Sequence, residues 1–271
     1  MNRIDKRLAQ LKTSNRKMLS PYITAGDPHP DMTVELMHSL VKAGVDILEL
    51  GIPFSDPMAE GPVIQHAMER ALSHSVHCHA VLKMVQEFRK QDKDTPVIIM
   101  GYLNPIEQYG YESFARDAVE AGVDGTILVD LPPEEYESIA SIWDQFNLYS
   151  IFLCSPTTTD ERLKLINQYA RGYLYYVSLK GVTGSNTLDI PSLKTQYQIR
   201  KAQIKLPLMV GFGIKTPEMA AEVATFADGV IVGAALITNI FEAYENNTDA
   251  CAAGANLMRS MRQAIDNNGT L

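Results

Sequence analysis

The stretch ILELGIPFSDPMAEGP, residues 47–62, decides how the chain is read. Ile47 to Leu50 form a short apolar run that breaks at Gly51 and Pro53, and a loop then leads to a helix opening near Gly61-Pro62. Two carboxylates bracket the break. Glu49 sits inside the apolar run, where an unpaired charge is expensive to bury and a carboxyl pKa rises. Glu60 stands at the far end of the loop, where the chain can fold it back over the C-terminal end of the strand. An acid on a strand tip and another on the following loop suit general acid/base chemistry. They equally suit a structural reading, with Glu49 paired in the core and Glu60 favouring the start of the next helix. On spacing alone the two readings stand even.

Moving outward, the phrase that introduces this stretch recurs. Ala43-Gly44-Val45-Asp46 leads into ILEL, and Ala121-Gly122-Val123-Asp124 leads through Gly125 into TILV. Arg171-Gly172 leads into YLYYV, and Asp228-Gly229 into VIVG. Each is a helix end, a glycine turn and a nearly continuous apolar strand, the mark of a parallel sheet buried on both faces. Residues 18–26, 97–102, 148–153 and 206–211 supply the remaining strands, making eight. Helical segments are expected near 2–12, 31–43, 62–72, 77–91, 111–120, 134–145, 159–169, 190–203 and 217–226. Eight such units predict a single (β/α)₈ TIM barrel over residues 1–271, with an extra N-terminal helix. A doubly wound open sheet is the alternative, because periodicity cannot show closure.

Composition narrows the function classes. The formal charge of −8, with no Lys/Arg cluster, argues against a nucleic-acid surface. Cys78, Cys154 and Cys251 are odd in number and widely spaced, which fits free thiols in a reducing, cytoplasmic setting. The first residues are charged rather than apolar and no run has the length of a membrane span, so neither a signal peptide nor a membrane partner is expected.

In a barrel, chemistry belongs to the loops after the strands. The unusual ones are 53–60, the long loop 179–191 (LKGVTGSNTLDIP), Gly211-Phe212-Gly213 and Gly233-Ala234-Ala235. The last three place glycines just before helices, where free N–H groups receive an anion such as phosphate. The long loop, with Gly181 and Gly184, reads as a lid or as a plain surface connection. His74, His77, Cys78 and His79 cluster, but they are expected on the opposite, stability face and lack a second ligand set, so no metal is assigned. Asp130 ends the fourth strand and either acts in catalysis or braces a turn. Strand alternation puts Tyr175 on the face of Tyr173 and opposite Tyr176, and the three tyrosines read mainly as core.

LELGIPFSDPMAEGPVIQ, taken with GVTG, GFGI and the eight-unit order, resembles the tryptophan synthase alpha subunit family over essentially the whole chain. The resemblance implies a lyase that cleaves indole-3-glycerol phosphate to indole and glyceraldehyde 3-phosphate by a retro-aldol step. It also implies a beta subunit that receives the indole in an alpha2beta2 tetramer and holds pyridoxal phosphate, with no cofactor or metal in this chain. By position, Glu49 matches the acid/base residue, Glu60 the second carboxylate facing the indole N–H, and Tyr175 a tyrosine that contacts substrate. Thr183 and Gly184 match the closing loop, and Gly213, Gly233 and Ala234 the backbone phosphate donors. Tyr22, Met100, Ile127, Val129, Leu153 and Phe212 match the indole pocket, and Pro53, Asp56 and Asn104 the partner surface. The chain departs from the family's pattern at Glu60 (commonly Asp), Ala234 (commonly Ser) and Tyr22 (commonly Phe). A stand-alone lyase, another phosphosugar barrel enzyme, and a weakly catalytic subunit that mainly activates the beta partner are the competing functions.

Overall fold

The computed structural model describes residues 1–178, 189–211 and 213–267. Its strands are β1 (Met18–Thr24), β2 (Leu48–Gly51), β3 (Val97–Gly101), β4 (Gly125–Leu128), β5 (Tyr149–Ser150), β6 (Leu153–Cys154), β7 (Leu174–Val177), β8 (Leu208–Gly211) and β9 (Gly229–Val232). All pair in parallel, in the order β5-β4-β3-β2-β1-β9-β8-β7-β6. The two ends of that order, β5 and β6, are halves of one stretch separated only by Ile151 and Phe152. Ile151 N–H still donates to Thr126 O at 2.9 Å, while Phe152 O accepts from Tyr175 N–H at 3.0 Å. The stretch therefore pairs with β4 on one side and β7 on the other, which closes the sheet into the TIM barrel and excludes the open alternative.

The helices are α1 (Arg3–Thr13), α2 (Thr33–Lys42), α3 (Pro62–Ser73), α4 (Cys78–Phe88), α5 (Leu103–Tyr109), α6 (Tyr111–Ala121), α7 (Glu137–Gln145), α8 (Asp160–Tyr169), α9 (Ile190–Lys201), α10 (Pro217–Ala224), α11 (Ala234–Glu245) and α12 (Ala250–Asn267). Leu19, Leu48, Ile99 and Val210 point outward into the layer between strands and helices. Met18, Ile47, Ile98, Met100 and Met209 point inward and fill the barrel. Ile4 and Leu11 of α1 join that inner cluster, so the N-terminal helix plugs the end where the strands begin. Asn2 caps it, accepting from Ile4 N–H at 2.9 Å.

The recurring glycine-aspartate phrase has a structural cause. Gly44 and Gly122 take φ of +99° and +96°, the left-handed conformation that ends a helix without a Cβ clash. The aspartate that follows ties each strand to its neighbour. Asp46 accepts from Leu19 N–H at 2.9 Å, Asp124 from Val97 N–H at 2.9 Å, and Asp228 from Leu208 N–H at 2.8 Å. Each carboxylate also meets a cation: Arg262 at 3.2 Å, Arg89 at 2.9 Å and Lys201 at 2.7 Å, respectively. Burial pushes the Asp46 and Asp124 carboxyls up from their usual range, and these donors pull against it.

Three helices, α5, α11 and α12, go beyond those read from the sequence. Doubled helices after β3 and β9 account for them, and the connection after β2 is doubled in the same way: an extra helix precedes the returning one. That doubling also corrects the placement of the histidine cluster. Because α3 intervenes, α4 starts on the C-terminal face, and the turn at 74–77 packs there. His74 meets His29 in the loop after β1 edge-on at 4.8 Å, and Cys78 Sγ lies 3.9 Å from Pro105 O in α5, which follows β3. His79 stacks on Tyr109 at 4.2 Å. Among the described residues no group of three or more metal-binding side chains converges.

Candidate active site

Parallel register sets Glu49 beside Tyr22 on β1 and Ile98 on β3. Its side chain points into the barrel and is fully buried. Oε1 accepts a 2.6 Å hydrogen bond from the Tyr173 hydroxyl, while Oε2 is buried with no hydrogen-bond partner among the described residues. Burial raises the Glu49 pKa to about 7, against the lowering pull of Tyr173 and Ser20. The carboxyl is therefore divided between acid and base forms near neutral pH.

The second carboxylate arrives by the loop after β2. Phe54 stacks on Tyr102 at 5.1 Å, and the Tyr102 hydroxyl accepts from Ala59 N–H at 3.0 Å. Glu60 N–H donates to Pro57 O at 3.0 Å, and Glu60 O accepts from Gln65 Nε2 at 2.9 Å. These bonds turn the Glu60 side chain inward, where it lines a cavity of about 620 Å³ with Tyr22, Met100 and Tyr175. Desolvation raises its pKa to about 7 as well.

Inward-facing glycines make room for the tyrosines. A Cβ on Gly51 would stand 2.2 Å from the Tyr22 hydroxyl, and one on Gly211 would stand 2.1 Å from that of Tyr175. The Tyr22 hydroxyl lies 3.4 Å from Thr24 Oγ1, a buried polar neighbour on the same strand. Gly211→Ala is expected to lower stability by about 1–3 kcal/mol through overpacking and to displace Tyr175. Gly101→Ala, whose Cβ would meet Ile52 at an ordinary 3.5 Å, should change little. Urea denaturation of both variants reads the difference, and equal stabilities would contradict the packing account.

At its other end the cavity meets Gly213, Gly233 and Ala234. Gly213 has φ +84°, and Gly233 caps α11 without a side-chain hydrogen bond. The first-turn N–H groups of α11 thus open toward the cavity, with the positive end of the helix dipole behind them. Ala234 offers an N–H and no hydroxyl.

Of the residues singled out from the sequence, Tyr22, Glu60, Met100, Tyr175, Gly213, Gly233 and Ala234 meet around one cavity. Glu49, Ile127, Val129 and Leu153 lie within or against the inner barrel cluster. Thr183, Gly184 and Phe212, and most of the expected lid, lie outside the described residues. Asp130 braces a turn: Oδ1 accepts from Leu103 N–H at 2.7 Å, at the opening of α5. Tyr173 was legible only as core, yet it holds Glu49; its shared face with Tyr175 was the available signal. Tyr102, which shapes the Glu60 loop, and Lys215, the one Lys or Arg lining the cavity among the described residues, carry no sequence signal of their own.

Residues 8–266 match the family described as Tryptophan synthase alpha chain. The chain is 71% identical over 271 residues to the tryptophan synthase alpha chain of Legionella pneumophila (strain Lens), with all of both chains covered. It is 53% identical over 267 residues to that of Marinobacter nauticus, covering 98% of each. Among solved structures, the subunit alpha from Legionella pneumophila str. Paris superposes with a TM-score of 0.95 at 69% identity, over 98% of this chain and 99% of that one. Tryptophan synthase from M. tuberculosis in its aminoacrylate-bound form gives a TM-score of 0.86 at 31% identity, over 98% of this chain and 100% of that one.

Proposed function

The chain belongs to the tryptophan synthase alpha chain family, the lyase that cleaves indole-3-glycerol phosphate in tryptophan biosynthesis, and from that premise we propose how its residues do the work. The observation that carries the reading is a pair of carboxyls, both raised to about 7 by burial, beside one largely apolar cavity that ends in anion-binding loops.

The apolar half of the cavity holds indole, with Tyr22, Met100 and Tyr175 against the ring and Ile127, Val129 and Leu153 behind them; Phe212 is assigned to this pocket by its family position alone. The N–H groups of Gly213, Gly233 and Ala234 hold the phosphate, and Thr183 and Gly184 are assigned to the closing loop by their family positions alone. Glu49 gives a proton to indole C3, and positive charge develops on the ring nitrogen, where the Glu60 carboxylate stabilises it through the N–H. Glu49 then takes the proton of the adjacent glycerol hydroxyl. The C–C bond breaks, its electrons neutralise the ring, and a carbonyl forms, leaving indole and glyceraldehyde 3-phosphate with Glu49 as it began. In the resting arrangement Tyr173 holds the Glu49 carboxyl one pleat below Tyr175, so the side chain turns toward the cavity to act.

The pH profile of indole release tests this chemistry. Glu60 works ionised and Glu49 begins protonated, so kcat/KM is expected to be bell-shaped, falling as pH drops below about 7 and again as it rises above about 7. A flat profile from pH 5.5 to 8 would remove Glu60 from the charge-stabilising role.

The family implies a beta partner, and we place the pyridoxal phosphate there and assign the pair an alpha2beta2 assembly in the cytoplasm. Among the described residues no helix is long and apolar enough to cross a membrane. We read residues 1–271 as one barrel domain. Asp56 in the loop after β2 and Asn104 in α5 after β3 are exposed, and Met58 in the first of these is 84% exposed, which supports a docking surface there. Pro53 is buried, so it shapes this surface from beneath rather than touching the partner. Sedimentation of the chain mixed with a beta subunit should give a larger species that Asp56→Lys weakens; an unchanged monomer peak would contradict the assembly.

A further inference from the structure

A second cavity, of about 570 Å³, opens at the other end of the barrel, where the strands begin. It lies between the last turns of α1 and the segment joining α9 to β8, with Leu11, Met18 and Pro207 among its apolar walls. Its charged lining is Lys12, Arg16, Lys17, Lys201 and Lys205, against the carboxylates of Asp5 and Asp228. Five cations against two anions leave an excess of three positive charges, in a chain whose formal charge is −8.

Both aspartates are already counted against that excess, and each has a partner of its own. Asp5 accepts the Tyr149 hydroxyl at 2.5 Å, and Asp228 is taken by Lys201 at 2.7 Å and Leu208 N–H at 2.8 Å. Arg16 leans away toward Asp266 at 3.4 Å and Asp46 at 3.7 Å. Lys17 Nζ donates to Ala227 O at 2.8 Å and keeps two further N–H donors. Among the described residues, Lys12 and Lys205 have no ion-pair partner, and both are exposed at the rim. Like charges gathered at a concave surface with apolar walls repel one another and focus a positive field into the recess.

We propose that this basin binds a compact polyanion, a small molecule presenting two or more phosphate groups. Lys12 and Lys205 supply the uncommitted charges at the rim, and Lys17 and Lys201 supply anchored donors deeper in. A recess of this size suits a small molecule rather than the flat backbone of a nucleic acid or a membrane. It is separate from the cavity that holds Glu60, at the opposite end of the barrel.

Calorimetric titration of the full chain with inorganic pyrophosphate at low ionic strength tests the proposal. The parent chain is expected to saturate below roughly 1 mM, with binding weakened by added salt. The Lys12→Glu/Lys205→Glu variant should lose at least about tenfold in affinity. A control with the same change in net charge, Lys83→Glu/Lys164→Glu, should bind as the parent does; those lysines are exposed on α4 and α8. Thermal melting confirms that each variant folds. No saturable binding by the parent overturns the proposal. So does unchanged affinity in the rim variant, which would assign the pyrophosphate to the anion loops of the other cavity. Equal weakening in the rim variant and the control also overturns it, by reducing the effect to overall charge.

Discussion

Glu49→Gln is expected to release indole about 10²–10⁴-fold more slowly than the parent chain, the usual loss when a general acid/base is removed. Gln keeps the shape and can still accept from the Tyr173 hydroxyl, which now meets Glu49 at 2.6 Å, but it can neither give nor take the proton. The same substitution is expected to stabilise the fold at pH 8. In the folded chain the Glu49 pKa is raised from 4.5 to about 7, so the folded state holds its proton more tightly than the unfolded state does. Stability from this group is therefore greatest below about pH 4.5, declines as pH rises, and is lost above about 7. Ionising the buried carboxyl costs up to about 3 kcal/mol at the high end, and Gln escapes that cost. The variant should melt above the parent at pH 8, with the gap closing toward pH 4.5. A variant that turns over normally would mean another group is the base, and a gap that does not depend on pH would mean Glu49 is not held at a raised pKa.

Glu60→Gln is expected to cost about 10²–10³ in kcat, the range for removing one preorganised group from a developing charge. The loop that carries it is fixed by Ala59 N–H on the Tyr102 hydroxyl and by Phe54 on the Tyr102 ring, so Gln should occupy the same place without the charge. Glu60→Asp keeps the charge on a shorter stem. Because this loop is set for Glu, the shorter carboxylate reaches less far into the cavity, and a loss of about tenfold is expected. Steady-state indole release separates the three chains; indifference to both changes would reduce Glu60 to a loop or helix-start residue.

The barrel was largely legible because its signals are local. Apolar strands after Gly44, Gly122 and Gly172 announced a sheet buried on both faces, and the left-handed φ at these glycines shows why that residue recurs. Closure was not legible, since it depends on Ile151 and Phe152 bonding to different neighbours 25 and 23 residues away along the chain. The extra helix after β2 is readable as a helix, yet its effect on direction is not, so sequence alone places the histidine turn on the wrong face. In the site, Glu49 stood out because a charge in an apolar strand demands a reason. Tyr173 did not, because a tyrosine in a strand is ordinary until its hydroxyl is seen on a carboxylate. The role of Gly51 and Gly211, which yield space to Tyr22 and Tyr175 across neighbouring strands, follows from register that no single strand reveals.

The most direct test is indole release from indole-3-glycerol phosphate by the purified chain, first alone and then with a beta subunit. Slow release alone and a strong rise with the partner are expected. No release under either condition would contradict that, and would leave the chain as a non-catalytic partner or an enzyme of another phosphosugar.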